Sequence, residues 1–485
     1  MEVKVSRGLA WIGAASSLVG VLDVLSLLII LAFWVPADQY GVATMATWLF
    51  PILDQATDLG LSAAVVQRDE HDDDTIATVF WINLATAAAL FTALLIAAPL
   101  IAARLFHHEV VGWLLVAYGT KLLWQNVYFI PAALMRKELR FKELSVIRIL
   151  ANLAEFVAKL GFAAAGFGIW CFVLGPLCRV VVTGVGCQLR HPWRPRFVLR
   201  LRRTWGYAAF GAKSAASQIL FYFYTNVDYP IVGYYFGDTA VGTYRLAYEI
   251  ALEPVRVISA VVADVAFPTF ARLRHDRPRL IAQLVSFTRL NLVTVMTYAA
   301  VTFVVADDTL AIAFDDYLAA GPAVRILCGV AVLRAVSYVV PPLLDGVGHP
   351  SRTLIYMTTA AVVLPTGFVL ASVTLGDRLG WLAVAWAWAV GYPIAFAVLI
   401  ALATTTIELP IRRFLGAVVG VPACALAGLA VGELVHALVA SAPAPVRLVT
   451  SAAAVLAVTG LLLAYTQGLS VRSALRALRG DAGAG

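Results

Sequence analysis

Apolar runs of roughly 20 residues recur along the whole sequence, and each is long enough to cross a hydrocarbon core of roughly 30 Å as an α-helix. Of the 485 residues, 61% are hydrophobic and only 13% are charged. Soluble domains carry about 25% charged residues. The segments between the runs are short, so they leave no room for a soluble catalytic or nucleotide-binding domain. The sequence therefore predicts an all-α integral membrane protein with about 14 transmembrane helices.

Loops rich in Lys and Arg alternate with loops that are nearly free of both residues, and only Arg104, Arg378 and Arg447 stand against this pattern. The main basic clusters lie at residues 136–142, 190–203, 272–279, 412–413 and 472–479. The alternate turns at 36–40 and 237–239 contain no basic residue, whereas the acidic segment 68–74 is the one exception among the basic loops. Because cytoplasmic loops carry the excess of Lys and Arg, we expect both termini to be cytoplasmic and the number of spans to be even.

The longest basic loop contains Pro192 and Pro195 and divides the sequence into two similar halves. We expect a six-helix lobe at 1–189, a cytoplasmic linker at 190–203, a second six-helix lobe at 204–403, two additional helices at 404–468 and a cytoplasmic tail at 469–485. Segment 34–43, which joins the first two spans, is similar to segment 235–244, which joins the seventh and eighth. A weak repeat of this kind indicates two pseudo-symmetric bundles around a central cavity. The alternative is a chance likeness of two aromatic-glycine turns.

Ionisable residues interrupt spans that should exclude charge. The two spans between Trp205 and Arg274 carry Lys213, Asp228, Arg245, Glu249, Glu253, Arg256 and Asp264. A charge at mid-membrane costs at least about 2.5–3.5 kcal/mol, so such residues usually face a bundle interior or an aqueous cavity. This concentration of charge is typical of a polar path through a transporter.

The spacing of Arg245, Glu249, Glu253 and Arg256 places them in one stripe along the predicted eighth span. A stripe of mixed sign can neutralise itself through pairs within the helix. Two interpretations therefore stay open. The stripe is either a structural ion-pair ladder or a cavity wall whose cations meet an anionic substrate and whose carboxylates take up protons or Na⁺.

The first lobe has intramembrane charges of its own: Asp23, Asp54, Asp58, Lys121, Glu155, Lys159 and Arg179. Glu155 and Lys159 are one helical turn apart and can pair with each other, whereas Lys121 has no partner at helical spacing. The later spans add the cations Arg289 and Arg334. Arginine binds phosphate oxygens bidentately, so a net-basic cavity favours a phosphate-bearing substrate over a cationic drug.

Several functional classes are disfavoured by the sequence. The five cysteines lie in apolar segments without metal-ligand spacing, so we expect no metal site, and no cofactor motif is present. No Walker A sequence occurs, so we do not expect ATP hydrolysis. The net charge of +7 is explained by cytoplasmic loops that face anionic lipid headgroups, which makes membrane lipids partners and gives no reason to expect nucleic acid.

A specific motif pattern occupies residues 226–273. It contains N-x-D at 226–228, a glycine turn at 237, G-x-Y-x-x-A-Y at 242–248 and F-P-x-F at 267–270, followed by a basic loop. Together with the segment DLGLSAAVVQ at 58–67, these motifs resemble those of bacterial polysaccharide flippases. That family is the polysaccharide-transporter branch of the multidrug/oligosaccharidyl-lipid/polysaccharide exporter superfamily. The likeness extends over about the first 400 residues.

The resemblance implies two six-helix bundles around a V-shaped cavity, with two further helices at the C-terminal end. It implies transport of undecaprenyl-pyrophosphate-linked oligosaccharide repeat units from the inner to the outer leaflet of the bacterial cytoplasmic membrane by alternating access. This transport would serve exopolysaccharide, capsule or O-antigen synthesis, with a polysaccharide polymerase and co-polymerase as candidate partners. The alternatives are a cation-coupled multidrug antiporter of the same superfamily and a membrane-embedded enzyme or scaffold of glycan biosynthesis.

The buried charges then take expected roles in this transport. The candidate pyrophosphate-binding residues are Lys121, Lys213, Arg245, Arg289 and Arg334. The candidate ion-coupling residues are Asp23, Asp228, Glu249 and Glu253. No motif fixes which of these side chains face the cavity.

Overall fold

The protein is helical throughout most of the part that the structure describes. This computed structural model describes residues 18–20, 22–58, 60–62, 65, 73–200 and 215–468. Within these residues no β-strand occurs, and eight helices are long and apolar enough to cross a membrane. The predicted all-α membrane class is confirmed, whereas the count of fourteen spans stays a prediction.

The chain forms two compact units, Met1–Gly242 and Thr243–Gly485. The helices of the first unit are α1 (Leu18–Phe33), α2 (Ala37–Thr47), α3 (Phe50–Asp58), α4 (Asp73–Leu100), α5 (Glu109–Trp124), α6 (Asn126–Lys137), α7 (Phe141–Ala164), α8 (Cys171–Arg190), α9 (215–224) and α10 (Asp228–Phe236). A π-helix, Ile101–Phe106, continues α4. The next helix, α11 (Asp238–Ala251), contains the boundary between the units. The lobe limits expected from the sequence stay predictions.

The second unit contains most of the long apolar helices. They are α12 (Glu253–Leu273), α13 (Arg277–Ala313), α14 (Gly321–Gly346), α15 (Pro350–Leu379), α16 (Leu382–Thr406), α17 (Ile411–Val418), α18 (Gly420–Leu438) and α19 (Ala444–Gln467). The last two pack against α13, where Val455 joins a buried cluster with Ala300 and Val304. Each buried branched side chain of this kind contributes about 1.5–3 kcal/mol relative to an exposed one.

The predicted eighth span is two helices and not one, because Pro254 lies near its midpoint. Pro254 has no N–H group to donate to the carbonyl of Ile250. The chain leaves the helix at Leu252, where φ is −113°. The hydroxyl of Tyr298 in α13 donates to the Ile250 carbonyl instead. The freed acceptor is thus satisfied inside the bundle, as a buried carbonyl requires.

A similar replacement occurs in α6. Pro131 cannot donate to the carbonyl of Val127, and the side chain of Gln188 in α8 donates to it, with an N–O distance of 2.9 Å. A side chain of another helix therefore supplies the hydrogen bond that the backbone of α6 cannot form at Pro131. Such side-chain rescue is how membrane helices tolerate proline.

The two turns of the sequence repeat are in contact with each other. Gly41 and Gly242 are equivalent positions 201 residues apart, as are Ala37 and Asp238. A methyl group on Gly41 would overlap the carbonyl oxygen of Asp238, and one on Gly242 would overlap the carbonyl oxygen of Ala37. The contact is therefore reciprocal, as at a two-fold interface. Glycine at both positions lets the first turns of α2 and α11 meet backbone to backbone.

The basic linker lies along the start of α4 up to Arg200, the last residue described before 215. Arg200 forms an ion pair with Asp74, and Arg196 lies 3.8 Å from Asp73. The indole nitrogen of Trp81 donates to the Arg196 carbonyl at 2.9 Å. The acidic segment 68–74, exceptional among the predicted inner loops, thus contributes two carboxylates that balance the arginines of the linker.

Candidate functional site: a charged cavity in the first unit

A cavity of about 570 Å³ opens between α1, α3 and the helices α5–α8. Its charged lining consists of Asp23, Asp54, Lys121, Arg136, Arg148 and Arg179. Four cations and two carboxylates make this lining net basic. The cavity lies entirely within the first unit, so its geometry depends only on the packing of that unit.

Lys121 is the most deeply placed of the cavity cations, with 8% of its side chain exposed. Its ammonium group is paired with Asp54 on α3, and it lies 5.3 Å from the centre of the Tyr118 ring. Gln125, one turn further along the chain, donates to the other oxygen of Asp54 at 2.7 Å. Residues four positions apart share a helix face, which explains why both side chains reach one carboxylate.

Glu155 forms a second cluster behind the cavity wall. Its carboxylate lies 2.7 Å from the ammonium of Lys159 and 3.0 Å from the guanidinium of Arg179. Glycine at position 175 leaves the space that the stem of Lys159 fills. The pairing of Glu155 with Lys159, suggested by their spacing, is observed, and Arg179 is a further partner from α8. Arg179 thus faces the cavity with a buried counter-charge behind it.

Arg136 and Arg148 are the exposed cations of the lining. Arg136 is near the end of α6, and within the described residues it forms no ion pair. Arg136 belongs to the basic cluster 136–142 that the charge pattern predicts to be cytoplasmic, and Arg148 follows this cluster within α7. The cavity therefore combines exposed arginines with more buried cations that already have carboxylate partners.

The predicted stripe in the second unit is internally paired. Arg245 forms an ion pair with Glu249 within α11, and the Nε atom of Arg256 lies 2.8 Å from Glu253 Oε1 within α12. Each helix fragment therefore holds one cation and one carboxylate together. This arrangement agrees with the ion-pair ladder, the first of the two interpretations that the sequence left open.

Arg334 is buried in the second unit among aromatic side chains. Its guanidinium donates to the hydroxyl groups of Tyr248 and Tyr338 at 2.6 and 3.2 Å. The guanidinium carbon also lies 5.5 Å from the centre of the Trp388 ring. Hydroxyl acceptors and ring faces both stabilise a buried cation.

The other predicted site residues that the structure describes lie apart from these groups. Arg289 donates to the side chain of Gln467, the last residue of α19, at 2.7 Å. Asp228 is fully buried at the start of α10, where it accepts from the Tyr229 backbone nitrogen at 3.0 Å. Lys213 lies outside the described residues. Of the eight candidates within the described residues, only Asp23 and Lys121 line the cavity, and the roles of all nine candidates stay predictions.

Sequence reasoning gave no site role to Asp54, Arg136, Arg148 or Arg179. Asp54 and Arg179 were visible as intramembrane charges, and a cation without a local partner, such as Lys121, calls for a carboxylate from another helix. Arg136 was not recognised as a site residue, because an arginine in a predicted cytoplasmic loop is already explained by the orientation of the protein in the membrane. Within the described residues, no group of His, Cys, Asp and Glu side chains could hold a metal ion.

A multi-pass helical protein with a net-basic cavity among its helices has the architecture of a membrane transporter. Its fold is similar to that of the lipid II flippase MurJ in an inward closed conformation, with a TM-score of 0.74. The similarity covers 96% of this chain and 99% of that chain at 13% sequence identity. At this identity the likeness shows the fold alone.

Residues 14–318 match the family described as "Polysaccharide biosynthesis protein", and the chain belongs to that family. It is 28% identical over 288 residues to the teichuronic acid biosynthesis protein TuaB of Bacillus subtilis, a match that covers 57% of this chain and 58% of TuaB. It is 25% identical over 342 residues to the succinoglycan biosynthesis transport protein ExoT of Rhizobium meliloti, which covers 70% and 69% of the two chains. The predicted membership of a polysaccharide biosynthesis family is confirmed. Among the similar proteins, ExoT is named for transport and MurJ for flipping a lipid.

Proposed function

We propose that this protein moves undecaprenyl-pyrophosphate-linked oligosaccharide repeat units from the inner to the outer leaflet of the bacterial cytoplasmic membrane by alternating access. The transported units would enter exopolysaccharide, capsule or O-antigen synthesis. The observation that carries the proposal is the net-basic cavity of the first unit, with four cations against two carboxylates. It occurs in a chain whose family is named for polysaccharide biosynthesis.

The chemistry of the cavity suits a pyrophosphate head group. Guanidinium groups bind phosphate oxygens bidentately, and the exposed Arg136 and Arg148 can meet the ligand before it reaches Arg179 and Lys121. A volume of about 570 Å³ is within the range of small-ligand sites. It holds a head group and leaves a long apolar lipid tail in the surrounding bilayer.

The other candidate pyrophosphate contacts differ in how far their surroundings support that role. Lys213 and Arg334 stay candidate pyrophosphate contacts. The pairing of Arg245 with Glu249 and the contact between Arg289 and Gln467 favour structural roles for those two arginines. If transport continues unchanged after Lys213→Ala and Arg245→Ala, neither residue binds the pyrophosphate.

Energy for transport would come from ions or from the membrane potential. Asp23, Asp228, Glu249 and Glu253 are the candidate sites for coupling to protons or Na⁺. Moving one charge through 100 mV supplies about 2.3 kcal/mol, so the potential alone can drive part of the cycle. We further propose an inner-membrane location with both termini cytoplasmic, and a polymerase and co-polymerase as partners.

The test is a transport assay with purified protein in liposomes. A fluorescent polyprenyl-pyrophosphate oligosaccharide is placed in both leaflets, and its accessibility to an impermeant quencher is followed over time. The proposal predicts faster exchange between leaflets than in protein-free liposomes, with the lipid chemically unchanged. Ion-driven uptake of a cationic dye without lipid exchange would support the drug antiporter instead. A cleaved or extended lipid product would support an enzyme.

A further inference from the structure

The cavity cation Lys121 already has an anion bound to it. Its ammonium is paired with Asp54, whose side chain is 31% exposed while that of Lys121 is only 8% exposed. Asp54 is held in this position from the other side by Gln125, at 2.7 Å. The carboxylate therefore occupies the place from which an anionic ligand in the cavity would contact Lys121.

A pyrophosphate group and the Asp54 carboxylate cannot both occupy that place. Two anions side by side repel each other, and in a partly desolvated cavity the repulsion is stronger than in water. A ligand that takes this place on the Lys121 ammonium displaces Asp54. The displaced carboxylate loses its cation and faces the charge of the ligand, and both changes favour its protonated form.

We propose that Asp54 is an exchangeable counter-anion that couples pyrophosphate binding to proton uptake, a role that rests on the proposed function of the cavity. When the pyrophosphate binds Lys121, Asp54 leaves the ammonium and takes one proton from the aqueous phase to which the cavity is open. When the pyrophosphate leaves, Asp54 returns that proton to solution and pairs with Lys121 again. No covalent bond other than that to the proton forms or breaks.

The surroundings of Asp54 single it out among the acidic residues of the first unit. Glu155 is 3% exposed and held by two cations behind the cavity wall, so a ligand in the cavity does not compete directly for its place. The charged and titratable groups on the helices around Asp54 include Asp23 (α1), Asp73 and Asp74 (α4), Tyr118 and Lys121 (α5), Tyr128 and Arg136 (α6), Arg148 (α7) and Arg179 (α8). Asp73 and Asp74 lie in the first turn of α4 against the linker arginines. Glu109, an exposed carboxylate at the start of α5 that is not part of the cavity lining, is the control.

The experiment measures proton uptake together with binding. Full-length protein in lipid nanodiscs is titrated calorimetrically with farnesyl pyrophosphate, in two buffers that differ in their enthalpy of ionisation. The buffer dependence of the heat gives the number of protons taken up. Comparison of variants with the wild type cancels the ionisation of the probe itself, because the probe is the same in every titration.

The wild type should take up about one proton more per bound ligand than Asp54→Asn. The variant should also bind the probe about three- to tenfold more tightly, because the competing carboxylate has been removed. Glu109→Gln should behave like the wild type in its proton count. Asp54→Ser provides a second neutral replacement, and thermal unfolding of each variant confirms that it is folded.

Equal proton counts in the wild type and Asp54→Asn would overturn the inference, as would weaker binding by Asp54→Asn or loss of proton uptake in Glu109→Gln. These results would leave the proposed transport function intact. Failure of the wild type to bind farnesyl pyrophosphate would instead contradict the assignment of the cavity as a pyrophosphate site. The two failures are therefore distinguishable.

Discussion

The substitution Gly41→Ala should push apart the first turns of α2 and α11. The added methyl would lie 2.7 Å from the carbonyl carbon of Asp238 and closer still to its oxygen. Backbone atoms cannot rotate away as a flexible side chain can, so the two turns must separate by roughly 1 Å, and overpacking of this kind costs about 1–3 kcal/mol. In an open helix position the same change stabilises by about 0.5–1 kcal/mol. A loss of stability in Gly41→Ala therefore indicates that the backbone contact is present, and a gain in stability indicates that it is absent.

Two measurements check this prediction. The first is the midpoint of thermal unfolding, which should fall in Gly41→Ala and, because the contact is reciprocal, by a similar amount in Gly242→Ala. The second is the distance between spin labels at Asp38→Cys and Thr239→Cys in a cysteine-free background, whose distribution should shift to longer values. Gly161→Ala is the matched control, since a methyl there meets no atom within 4 Å. Unchanged stability and an unchanged label distance in both glycine variants would refute the reasoning.

Three further changes test other contacts. Glu155→Gln removes the counter-charge of Lys159 and should lower the free energy of unfolding by about 3–5 kcal/mol, measured in detergent; a loss no larger than that of a surface Glu→Gln change would contradict a buried pair. Arg289→Gln breaks the contact with Gln467 and should loosen the end of α19. Maleimide labelling of Cys424, the buried cysteine of α18 that contacts Thr466 of α19, should then become faster. An unaltered labelling rate would show that α19 stays packed without the Arg289 contact. Trp81→Phe deletes the indole donor and should make the linker more sensitive to trypsin, and equal cleavage rates would count against the docked linker.

The sequence predicts well what depends on neighbours along the chain. Apolar runs define the membrane class, and the one-turn spacings of Glu155 with Lys159 and of Arg245 with Glu249 correspond to ion pairs in the structure. These features are readable because helix geometry alone brings such residues together. The family motifs at 226–273 were likewise sufficient to identify the family.

Contacts between helices were beyond this reasoning. Lys121 and Asp54 are 67 positions apart, and a spacing of that length carries no geometric information until the packing of α3 against α5 is known. The interruption of the eighth span was only hinted at by Pro254, because the cost of a proline depends on whether another helix supplies a donor. Here Tyr298 supplies it.

The central claim is that the cations of the first-unit cavity bind the pyrophosphate of a lipid-linked sugar during its transfer between leaflets. The most direct measurement is the flipping rate of a fluorescent polyprenyl-pyrophosphate oligosaccharide in liposomes that contain Lys121→Gln, Arg179→Gln or, as a matched control, the exposed Arg104→Gln. Loss of a charge-assisted contact should slow the two cavity variants by about tenfold or more. The control should keep the wild-type rate. If all three variants flip the lipid as fast as the wild type, the cavity is not the pyrophosphate site.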